Sequence, residues 1–524
     1  MNIRLKSVTD QPVIQVNTFR KQKHLDLEFT PGEFLLYDLD GNLLFEENTQ
    51  QGKWRVKVKQ AKPPLYEYFL ILKESSRRQP LEKELARYNG VIMHHVGGQI
   101  IYNDDIIATN DKYLLIAGPF ASQREARHHS QDYAQINHCH IFRQISSQAK
   151  GSLEIFDPYY EVFAEVKNGI QLVPQDDTAY FKIKHYAILH AEEEKVKHKD
   201  LFYQGKLNIK IDEENTLLGI NEVGVETYLK GVLHSEIGEQ VEVEFAKSMA
   251  IVARSQIFAR IGQMHAHEGF DFCSDSHCMR YYGRKVDDQQ IDSALKDTKG
   301  MILITDKKVC DAYFSYSCGG HMENASGVWL KDNENTANHC GFDTINPNSL
   351  NLDLQSDNSV KKWILDRPDV LCKTDSQKVG GSQKLSSDAF RWEMFYTRNE
   401  LEAIIYEKTG EELGIIYEII PIARGASGRI REVEILSSLK NIKISGELNI
   451  RSALSVTLLN SSCFFVEAER DMDGVPINFT LIGAGKGHGV GLCKVGAAKM
   501  SMLGKNYTEI LAHYFKKCDV KRIY

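Results

Sequence analysis

The sequence predicts a multi-domain α+β protein, on three observations. Its 524 residues exceed the roughly 100–200 residues of a typical domain, so we expect two to four domains. The first 60 residues alternate short apolar runs with turns, which is typical of β structure. Residues 66–146 alternate segments of strand and helix character, and residues 205–524 have the pattern of one large α+β unit.

The composition narrows the class of protein. Hydrophobic residues make up 42% and charged residues 26%, as in ordinary globular proteins. The formal net charge of -7 gives no basic surplus, so we expect no nucleic-acid partner. No segment reaches the ~20 consecutive apolar residues of a membrane helix, so we expect no integral membrane span. Residues 1–21 lack the apolar core of a signal peptide, which leaves two alternatives: the protein is not exported, or its export signal has been removed.

Four parts are predicted along the chain. Residues 1–62 are predicted to form a small β module, in which Trp54–Val58 has the composition of a strand. Residues 150–204 are predicted to be a connecting β segment. The large unit 205–524 carries a polar insertion at about residues 331–387, which is rich in Asn, Asp and Ser.

The fourth part, residues 66–146, is predicted to be a βαββαβ module with its helices on one face of the sheet. Its predicted strands and helices, in chain order, are Tyr66–Leu72, Arg77–Tyr88, Gly90–Val96, Lys112–Ala117, Gln123–Ile136 and His138–Gln144. The run Tyr113–Ser122, followed by Glu125-Ala126, resembles the core of a SPOR domain. That resemblance implies binding to peptidoglycan strands stripped of stem peptides; the alternative is an ordinary strand, Gly-Pro turn and helix.

A carboxylate lies on the apolar face of a predicted helix. Val225, Leu229 and Val232 recur at helical spacing, with Leu233 beside them, and the next position on that stripe is Glu236. A buried carboxylate is costly unless it is paired or functional. Burial would raise the pKa of the carboxyl group, to about 6 in a known precedent, which suits a general acid. The alternative is a half-exposed, salt-bridged Glu that ends the helix.

Several motifs within residues 205–524 resemble those of the SpoIID/LytB family. The helical motifs are Glu226–Leu229, Gly231-Val232, Ser235-Glu236 and Ala250–Ser255. The later motifs are Tyr281–Gly283, Ala312–Gly320 with Glu323, Val328-Trp329, Ser427–Arg429, Gly485–Gly491 and the pattern Met500–Tyr514. The resemblance is specific because separate motifs agree in their order along the chain.

The resemblance implies a SpoIID-type catalytic unit with peptidoglycan lytic transglycosylase activity and Glu236 as its general acid and base. Such an enzyme cuts the β-1,4 bond after N-acetylmuramic acid and leaves a 1,6-anhydro end, without a carboxylate nucleophile. Its partners would be glycan strands lacking stem peptides and a cell-wall amidase, and its location would be the periplasm or cell wall. Residues implied to contact the glycan are Ser315, Ser317, Gly319, Gly320, Glu323, His488 and Gly489. Arg254 would either contact the sugar or pair with a carboxylate.

One family segment is altered in this chain. After the motif that contains His488, the family usually has Met-Ser-Gln-Tyr-Gly-Ala, whereas this chain has Leu-Cys-Lys-Val-Gly-Ala at residues 492–497. The loss of the Gln and the Tyr puts the substrate preference and the rate in doubt.

A group of histidines and cysteines predicts a metal site. The ten cysteines are too few for a disulfide scaffold, but Cys273 and Cys278 lie close to His267 and His277, with His265 in reserve. Cysteines and histidines at this spacing suit tetrahedral Zn²⁺, and four protein ligands make the site structural. Some SpoIID-like proteins have a similar zinc site with two His and two Cys. The alternatives are free thiols or a disulfide between the two cysteines.

Three other functions stay open at this point. The first is a non-catalytic peptidoglycan-binding protein, because LytB members are named amidase enhancers. The second is a zinc hydrolase, and the third is a cysteine enzyme built on Cys318 or Cys493. A disulfide between Cys340 and Cys372 would be available in an exported protein.

Overall fold

A computed structural model confirms a mixed architecture of helices and several separate sheets. The described residues are 2–30, 33–45, 52–133, 140–189, 196–263, 265–283, 287–305, 308–329, 338–345, 352–373 and 389–524. The α-helices among them are Arg78–Leu85, Gln123–His129, Val225–Ile237, Val243–Arg260, Gln289–Asp297, Ala325–Trp329, Asp357–Asp366, Arg398–Thr409, Glu447–Ala453, Lys494–Met502 and Tyr507–Tyr514. None of these helices is long and apolar enough to span a bilayer.

Two large sheets, built mostly from the first 224 residues, pack face to face. All strand pairs in them are antiparallel except one, in which the short strand Phe272–Cys273 pairs in parallel with Gln11–Gln22 of the second sheet. The first sheet has the spatial order Val162–Lys167, Lys150–Phe156, Gly52–Lys62, His24–Phe29, Phe181–Leu189 and Val196–Tyr203. The second has the order Ser7–Val8, Gln11–Gln22, Leu217–Gly224, Lys206–Ile211, Gly169–Pro174, Phe34–Asp38 and Leu43–Phe45. Phe34 of the second sheet meets Phe181 of the first with ring centroids 6.1 Å apart, inside one shared apolar core.

These sheets divide the N-terminal region differently from the prediction. Residues 1–62 are not an independent module, because strand Gln11–Gln22 pairs with strand Leu217–Gly224. Residues 150–204 contribute strands to both sheets rather than a connection, and the second sheet continues past the predicted boundary at residue 205. The backbone groups of each strand need hydrogen-bond partners, and here those partners lie far along the chain, where local patterns do not reveal them.

Residues 65–147 contain the six predicted elements of the βαββαβ module in their predicted order. Two additional strands, Gln99–Tyr102 and Asp105–Thr109, lie between the third and fourth elements and pair in a separate sheet with Asn2–Arg4. The spatial order of the strands in the module is His140–Ser147, Leu65–Ser75, Lys112–Phe120 and Val91–Val96. The two helices share one face of this sheet, and its small core includes Leu70, Leu81, Leu115 and Ala126. The predicted helix end at Ile136 and strand start at His138 lie outside the described residues. The likeness to a SPOR domain stays a prediction.

The C-terminal region has two apolar cores instead of the single unit predicted for residues 205–524. The helices Val225–Ile237, Val243–Arg260 and Gln289–Asp297 share the core of the two large sheets. A separate core fills the unit formed by Arg391–Thr397, Arg398–Thr409, Ile416–Arg424, Ile430–Ser437, Ile442–Ser445, Glu447–Ala453, Phe464–Arg470 and Pro476–Ala484. Shorter strands elsewhere are Asn2–Arg4, Gln99–Tyr102, Asp105–Thr109, Phe272–Cys273, Met301–Thr305, Lys308–Val309, Phe314–Ser315, His321–Met322, Gly341–Phe342, Leu492–Cys493 and Asp519–Arg522.

The polar insertion predicted at residues 331–387 is in part a core element. Its helix Asp357–Asp366 buries Val360, Trp363 and Ile364, which are spaced three and one residues apart and so lie on one face. These side chains join the main core. Residues 330–337, 346–351 and 374–388 of this region lie outside the described part of the chain.

Candidate functional site

Glu236 lies in the last turn of the helix Val225–Ile237 and is 6% exposed. The apolar positions predicted for this helix are buried with it, so the stripe correctly indicated a carboxylate turned inward. The helix ends at Gly238, whose φ of 83° favours glycine. The carboxylate is therefore held at the end of a rigid element inside the protein.

Two cations bind the Glu236 carboxylate. The backbone N–H and the Nε of Arg280 each donate to Oε1 at 3.1 Å, and its Nη2 donates to Oε2 at 3.0 Å. Lys494 Nζ donates to Oε2 at 2.9 Å and to the backbone carbonyl of Glu236 at 2.9 Å. The Lys494 side chain is 5% exposed and that of Arg280 is 30% exposed. Glu236 is thus the centre of an ion-pair network that joins three separate segments.

These cations reverse the predicted ionisation of Glu236. Burial raises the pKa of the carboxyl group, but the charges and hydrogen bonds of Lys494 and Arg280 outweigh it and hold the pKa well below its usual range. The expectation of a protonated carboxyl with a raised pKa is therefore wrong for this conformation. The helix pattern showed the burial but not the two partners, which come from 44 and 258 residues away.

Lys494 connects Glu236 to a segment with predicted site residues. The strand Leu492–Cys493 pairs in parallel with Phe314–Ser315, and Lys494 Nζ lies 5.6 Å from the ring centroid of Phe314. Ser315 is 5% exposed, and its Oγ has no hydrogen-bond partner in the described part of the chain. A buried hydroxyl without a partner is rare and marks a group available to a ligand.

The glycine-rich segments that follow pack backbone against backbone. Ser317 and Lys486 exchange two backbone hydrogen bonds, of 3.0 and 2.8 Å. A side chain at Gly319 would come within 2.7 Å of the backbone N of Gly485, and one at Gly320 would meet the ring of Trp363 at 2.7 Å. Glycine is required at both positions because the neighbouring backbone and ring leave no room for a Cβ atom.

Glu323 links three family motifs in the interior. It is fully buried; its Oε2 accepts hydrogen bonds from Ser427 N at 2.9 Å and Ser427 Oγ at 2.7 Å. Its backbone N–H donates to the carbonyl of Gly489 at 2.9 Å, and Arg429 Nη1 donates to Ser427 Oγ at 3.0 Å. These contacts hold the loops around His488 together.

His488 is partly exposed and lies against aromatic rings. Its ring centroid is 5.1 Å from that of Trp329 and 6.2 Å from that of Tyr313. Its Nδ1 accepts a hydrogen bond from Val490 N at 3.0 Å. Burial and the charge of Arg429 lower the pKa of His488 to about 3, so the imidazole is neutral near pH 7.

Arg254 is not at the surface predicted to bind glycan. Its side chain is fully buried, and its Nε and Nη2 donate to the carboxylate of Glu226 at 2.9 and 2.6 Å. Its Nη1 donates to the carbonyl of Met301 at 2.9 Å, and the Tyr524 hydroxyl donates to Glu226 at 2.6 Å. The role in glycan binding is therefore wrong in this structure, and the alternative role, pairing with a carboxylate, is the one observed.

A group of four possible metal ligands lies where the metal site was predicted, with one member different from the prediction. The donor atoms of His265, Cys273, His277 and Cys278 all lie within 4.8 Å of one another. His265 Nδ1 hydrogen-bonds to Glu268 at 2.9 Å, and its buried Nε2 has no hydrogen-bond partner among the described residues. This donor set fits a metal ion, since two thiols and two imidazoles suit a tetrahedral site and an outer carboxylate orients a ligating histidine.

His267 does not join that group, so the prediction that it is a ligand is wrong. Its ring lies 5.4 Å from His94 and 5.5 Å from Phe142, on the βαββαβ module. The reserve residue His265 takes its place. The cysteines are free thiols in the described part of the chain, which includes Cys340 and Cys372, so no disulfide forms between those two or within the metal group.

Comparisons with known proteins agree with these motifs. The family model described as Stage II sporulation protein matches residues 213–304. A protein of Bacillus subtilis named Amidase enhancer is 22% identical over 313 residues, which are 55% of this chain and 39% of that protein. The chain is therefore similar to members of the SpoIID/LytB family.

Two further matches were found. An uncharacterised protein of Brachyspira hyodysenteriae is 25% identical over 319 residues, which are 61% of this chain and 72% of that protein. A model described as a domain of unknown function (DUF8618) matches residues 345–491, the region that includes the separate C-terminal core. The SpoIID match contains Glu236, Arg254 and the metal group.

The SpoIID/LytB pattern explains how Lys494 was missed. In the altered segment 492–497, Lys494 occupies the position at which the family usually has Gln. The sequence flagged this departure as a change in glycan binding, whereas the structure shows a cation on the candidate catalytic carboxylate. Arg280 had no such signal, because it lies between the metal group and the Tyr281–Gly283 motif without being part of either.

Proposed function

We propose that the chain is a peptidoglycan lytic transglycosylase that acts on glycan strands lacking stem peptides, with Glu236 as general acid and base. The observation that carries the proposal is a buried carboxylate where the Arg280 turn meets the segment that follows the His488 loop. The similarity of residues 213–304 to the SpoIID family supports cell-wall lytic chemistry. The site of action would then be extracytoplasmic, in the periplasm or cell wall.

The reaction moves a proton twice through one carboxyl group. Glu236 donates a proton to the leaving O4 oxygen as the C1–O4 bond breaks and C1 gains positive charge. The carboxylate then accepts the proton of the C6 hydroxyl while O6 bonds to C1, which closes the 1,6-anhydro ring. The carboxyl group ends the cycle protonated, so neither water nor a second carboxylate is consumed, unlike the hydrolases.

Glu236 has to take up a proton before the first step, because Arg280 and Lys494 hold it ionised. Arg280 is the more exposed of the two cations, so we assign it as the one that the glycan displaces. The loss of that positive charge raises the pKa of the carboxyl group. Lys494 Nζ stays at 2.9 Å from Oε2, where its positive charge continues to oppose protonation, so the proton comes from solvent.

The other proposed glycan-positioning residues act in different ways. Ser315 would hydrogen-bond the sugar directly, because its Oγ has no partner in the described structure. Glu323 and His488 would shape the groove by holding its loops and aromatic wall. The remaining ones, Ser317, Gly319, Gly320 and Gly489, would act through the backbone of the packed loops.

A second candidate function is a non-catalytic peptidoglycan-binding amidase enhancer. The ion-paired state of Glu236 favours it, since two cations on a buried carboxylate also fit a purely structural role. The Bacillus relative named Amidase enhancer supports it as well. In that role the SPOR-like unit would bind glycan, and the chain would recruit a cell-wall amidase.

Digestion of stem-stripped glycan strands, followed by mass spectrometry of the new ends, separates the two functions. We expect 1,6-anhydro ends from the wild type and a rate at least about 100-fold lower from Glu236→Gln, because the acid–base group is lost. The matched control is Glu239→Gln, which neutralises a more exposed carboxylate near the same helix end and should keep the rate. Uncut glycan with the wild type, together with full stimulation of an amidase by Glu236→Gln, would favour the enhancer.

We infer that the group of His265, Cys273, His277 and Cys278 binds a structural zinc ion. Two thiolates and two imidazoles select zinc, and four protein donors leave no position for a reacting water, which argues against a zinc hydrolase. The turn formed by Cys273 and Cys278 leads directly into Arg280, so the ion would fix one of the two cations on Glu236.

The assignment of His265 instead of His267 as a zinc ligand can be tested with a pair of variants. His265→Ala is expected to lose one equivalent of zinc per chain, because its Nε2 is the donor. His267→Ala, two residues away and also in a ring cluster, should keep the full complement. Zinc is measured by plasma mass spectrometry after dialysis against a weak chelator; retention in His265→Ala with loss in His267→Ala would reverse the assignment.

A further inference from the structure

A second group of metal-ligating side chains lies apart from the zinc site. We propose that Cys318, Asp343, Cys372 and Cys493 bind a second structural zinc ion in the interior. Their donor atoms all lie within 4.8 Å of one another. The four side chains are between 0 and 3% exposed. The family motifs gave no indication of this group, because two of its members come from the insertion.

The distances within the group fit a tetrahedral ion. Cys318 Sγ lies 3.6 Å from Cys372 Sγ and 3.1 Å from Asp343 Oδ2. Zinc–sulfur bonds of about 2.3 Å in tetrahedral geometry separate two sulfur ligands by roughly 3.8 Å. The same separation is too long for a disulfide, whose sulfur atoms are about 2.05 Å apart. The side chains are therefore arranged around a centre rather than as a bonded pair.

The carboxylate has the outer contacts of a metal ligand. Asp343 Oδ1 accepts a hydrogen bond from the Tyr514 hydroxyl at 3.0 Å and contacts His513 Nε2 at 3.1 Å. Its other oxygen, Oδ2, faces the thiols. A Cβ atom at Gly496 would approach that oxygen within 2.5 Å, so the glycine makes room for it. Ligating carboxylates are commonly oriented in this way by hydrogen bonds to the oxygen that does not bind the ion.

Backbone N–H groups donate hydrogen bonds to two of the sulfur atoms. Cys493 Sγ accepts from Cys318 N at 3.3 Å and from Gly496 N at 3.4 Å, at the first turn of the helix Lys494–Met502. Cys318 Sγ accepts from Gly320 N at 3.4 Å. Amide donors and a helix N-terminus stabilise the ionised form of cysteine, which is the form that binds metal.

A divalent ion would also solve a problem of buried charge. A fully buried carboxylate beside three sulfurs is costly unless a positive charge compensates it. Zinc supplies that charge, and four protein ligands leave no open position, so the site would be structural.

The two metal groups have a parallel relation to Glu236. In the first, Cys278 lies two residues before Arg280; in the second, Cys493 lies one residue before Lys494. Each of the two cations that bind the Glu236 carboxylate therefore lies within two residues of a proposed metal ligand. The second ion would fix Lys494 and join the insertion to the segments around it.

Zinc counting on the purified full-length chain tests the proposal directly. We expect two equivalents of zinc per chain in the wild type, one in Cys372→Ser, one in Cys278→Ser and none in the double variant. Cys340→Ser is the matched control, because Cys340 is a free thiol of the insertion that belongs to neither group, and it should keep two equivalents. A single equivalent in the wild type would overturn the proposal, whichever site holds it.

X-ray absorption at the zinc edge identifies the atoms bound to zinc. It is measured on a protein in which Cys372 is intact, so the test does not depend on whether Cys372→Ser folds. The Cys278→Ser protein should show one zinc with three sulfur neighbours and one oxygen neighbour. A shell with two sulfurs or fewer would exclude the proposed ligand set. A Cys318–Cys372 disulfide in a non-reducing peptide map of the wild type would exclude it too.

Discussion

Replacement of Glu236 by Gln is expected to destabilise the folded protein by about 3 kcal/mol. The substitution leaves the buried ammonium of Lys494 without its counter-charge, and loss of one partner of a buried ion pair costs about 3–5 kcal/mol. The lower end applies here, because Arg280 is partly exposed and the new amide can still accept a hydrogen bond. The loss should appear as a lower Tm and a lower urea midpoint. Thermal and urea unfolding followed by circular dichroism measure it.

The pH dependence of that difference follows from the ionisation of Glu236. Its pKa in the folded protein lies below the ordinary value near 4.5. The stability that it contributes is therefore fully present above that pH and is lost as the pH falls below it. The wild type and Glu236→Gln should differ most near neutral pH and converge in acid.

Two further variants test whether the loss of stability comes from the buried ion pair. Glu239→Gln alters a more exposed carboxylate and should change the stability by less than about 0.5 kcal/mol. The double variant Glu236→Gln with Lys494→Gln removes both charges, so it should recover more than half of the loss. Equal stability of Glu236→Gln and the wild type would mean that the ion pair is not formed in solution. The same double variant shows whether lost activity in Glu236→Gln comes from chemistry or from unfolding.

Local patterns predicted the features that depend on a few neighbouring residues. The stripe that begins at Val225 indicated that Glu236 is buried, and helical and strand periodicity gave the βαββαβ order of residues 66–146. Three of the four ligands in the first metal group followed from their spacing on one loop. The fourth, His265, could not be separated from His267 by spacing, because the choice depends on which ring faces the βαββαβ module.

Contacts between distant segments were the features that the patterns could not show. The second metal group takes its ligands from residues 318, 343, 372 and 493. The pairing of strand Gln11–Gln22 with Leu217–Gly224 has no local indication either. The pKa of Glu236 was predicted in the wrong direction for the same reason. The apolar pattern of one helix indicates that the carboxyl group is buried, but the contact with Lys494 that lowers its pKa depends on the tertiary fold.

Lys494→Gln is expected to shift the pH profile of glycan cleavage upward by about 1–3 pH units. The proposed reaction needs a protonated Glu236, and the positive charge of Lys494 is the first-ranked cause that lowers the pKa of its carboxyl group. A nearby opposite charge typically lowers a carboxyl pKa by about 1–3 units, so its removal restores that amount. At neutral pH the protonated fraction should rise about 10- to 1000-fold. The shift of the pH profile is measured from initial rates of anhydro-end formation between about pH 4 and about pH 9.

The substitution Lys494→Gln removes the charge but can keep the hydrogen bond to Glu236. Gln is the residue usually found at position 494, and an amide can keep the hydrogen bond to Glu236 Oε2 without the charge. Lys505→Gln is the matched control, because it removes an exposed ammonium that pairs with Glu509 and should leave the profile unchanged. An unshifted profile would mean that Lys494 does not set the ionisation of the acid. Loss of cleavage at every pH would instead identify Lys494 as the required proton donor to Glu236, since the amide cannot replace it in that step.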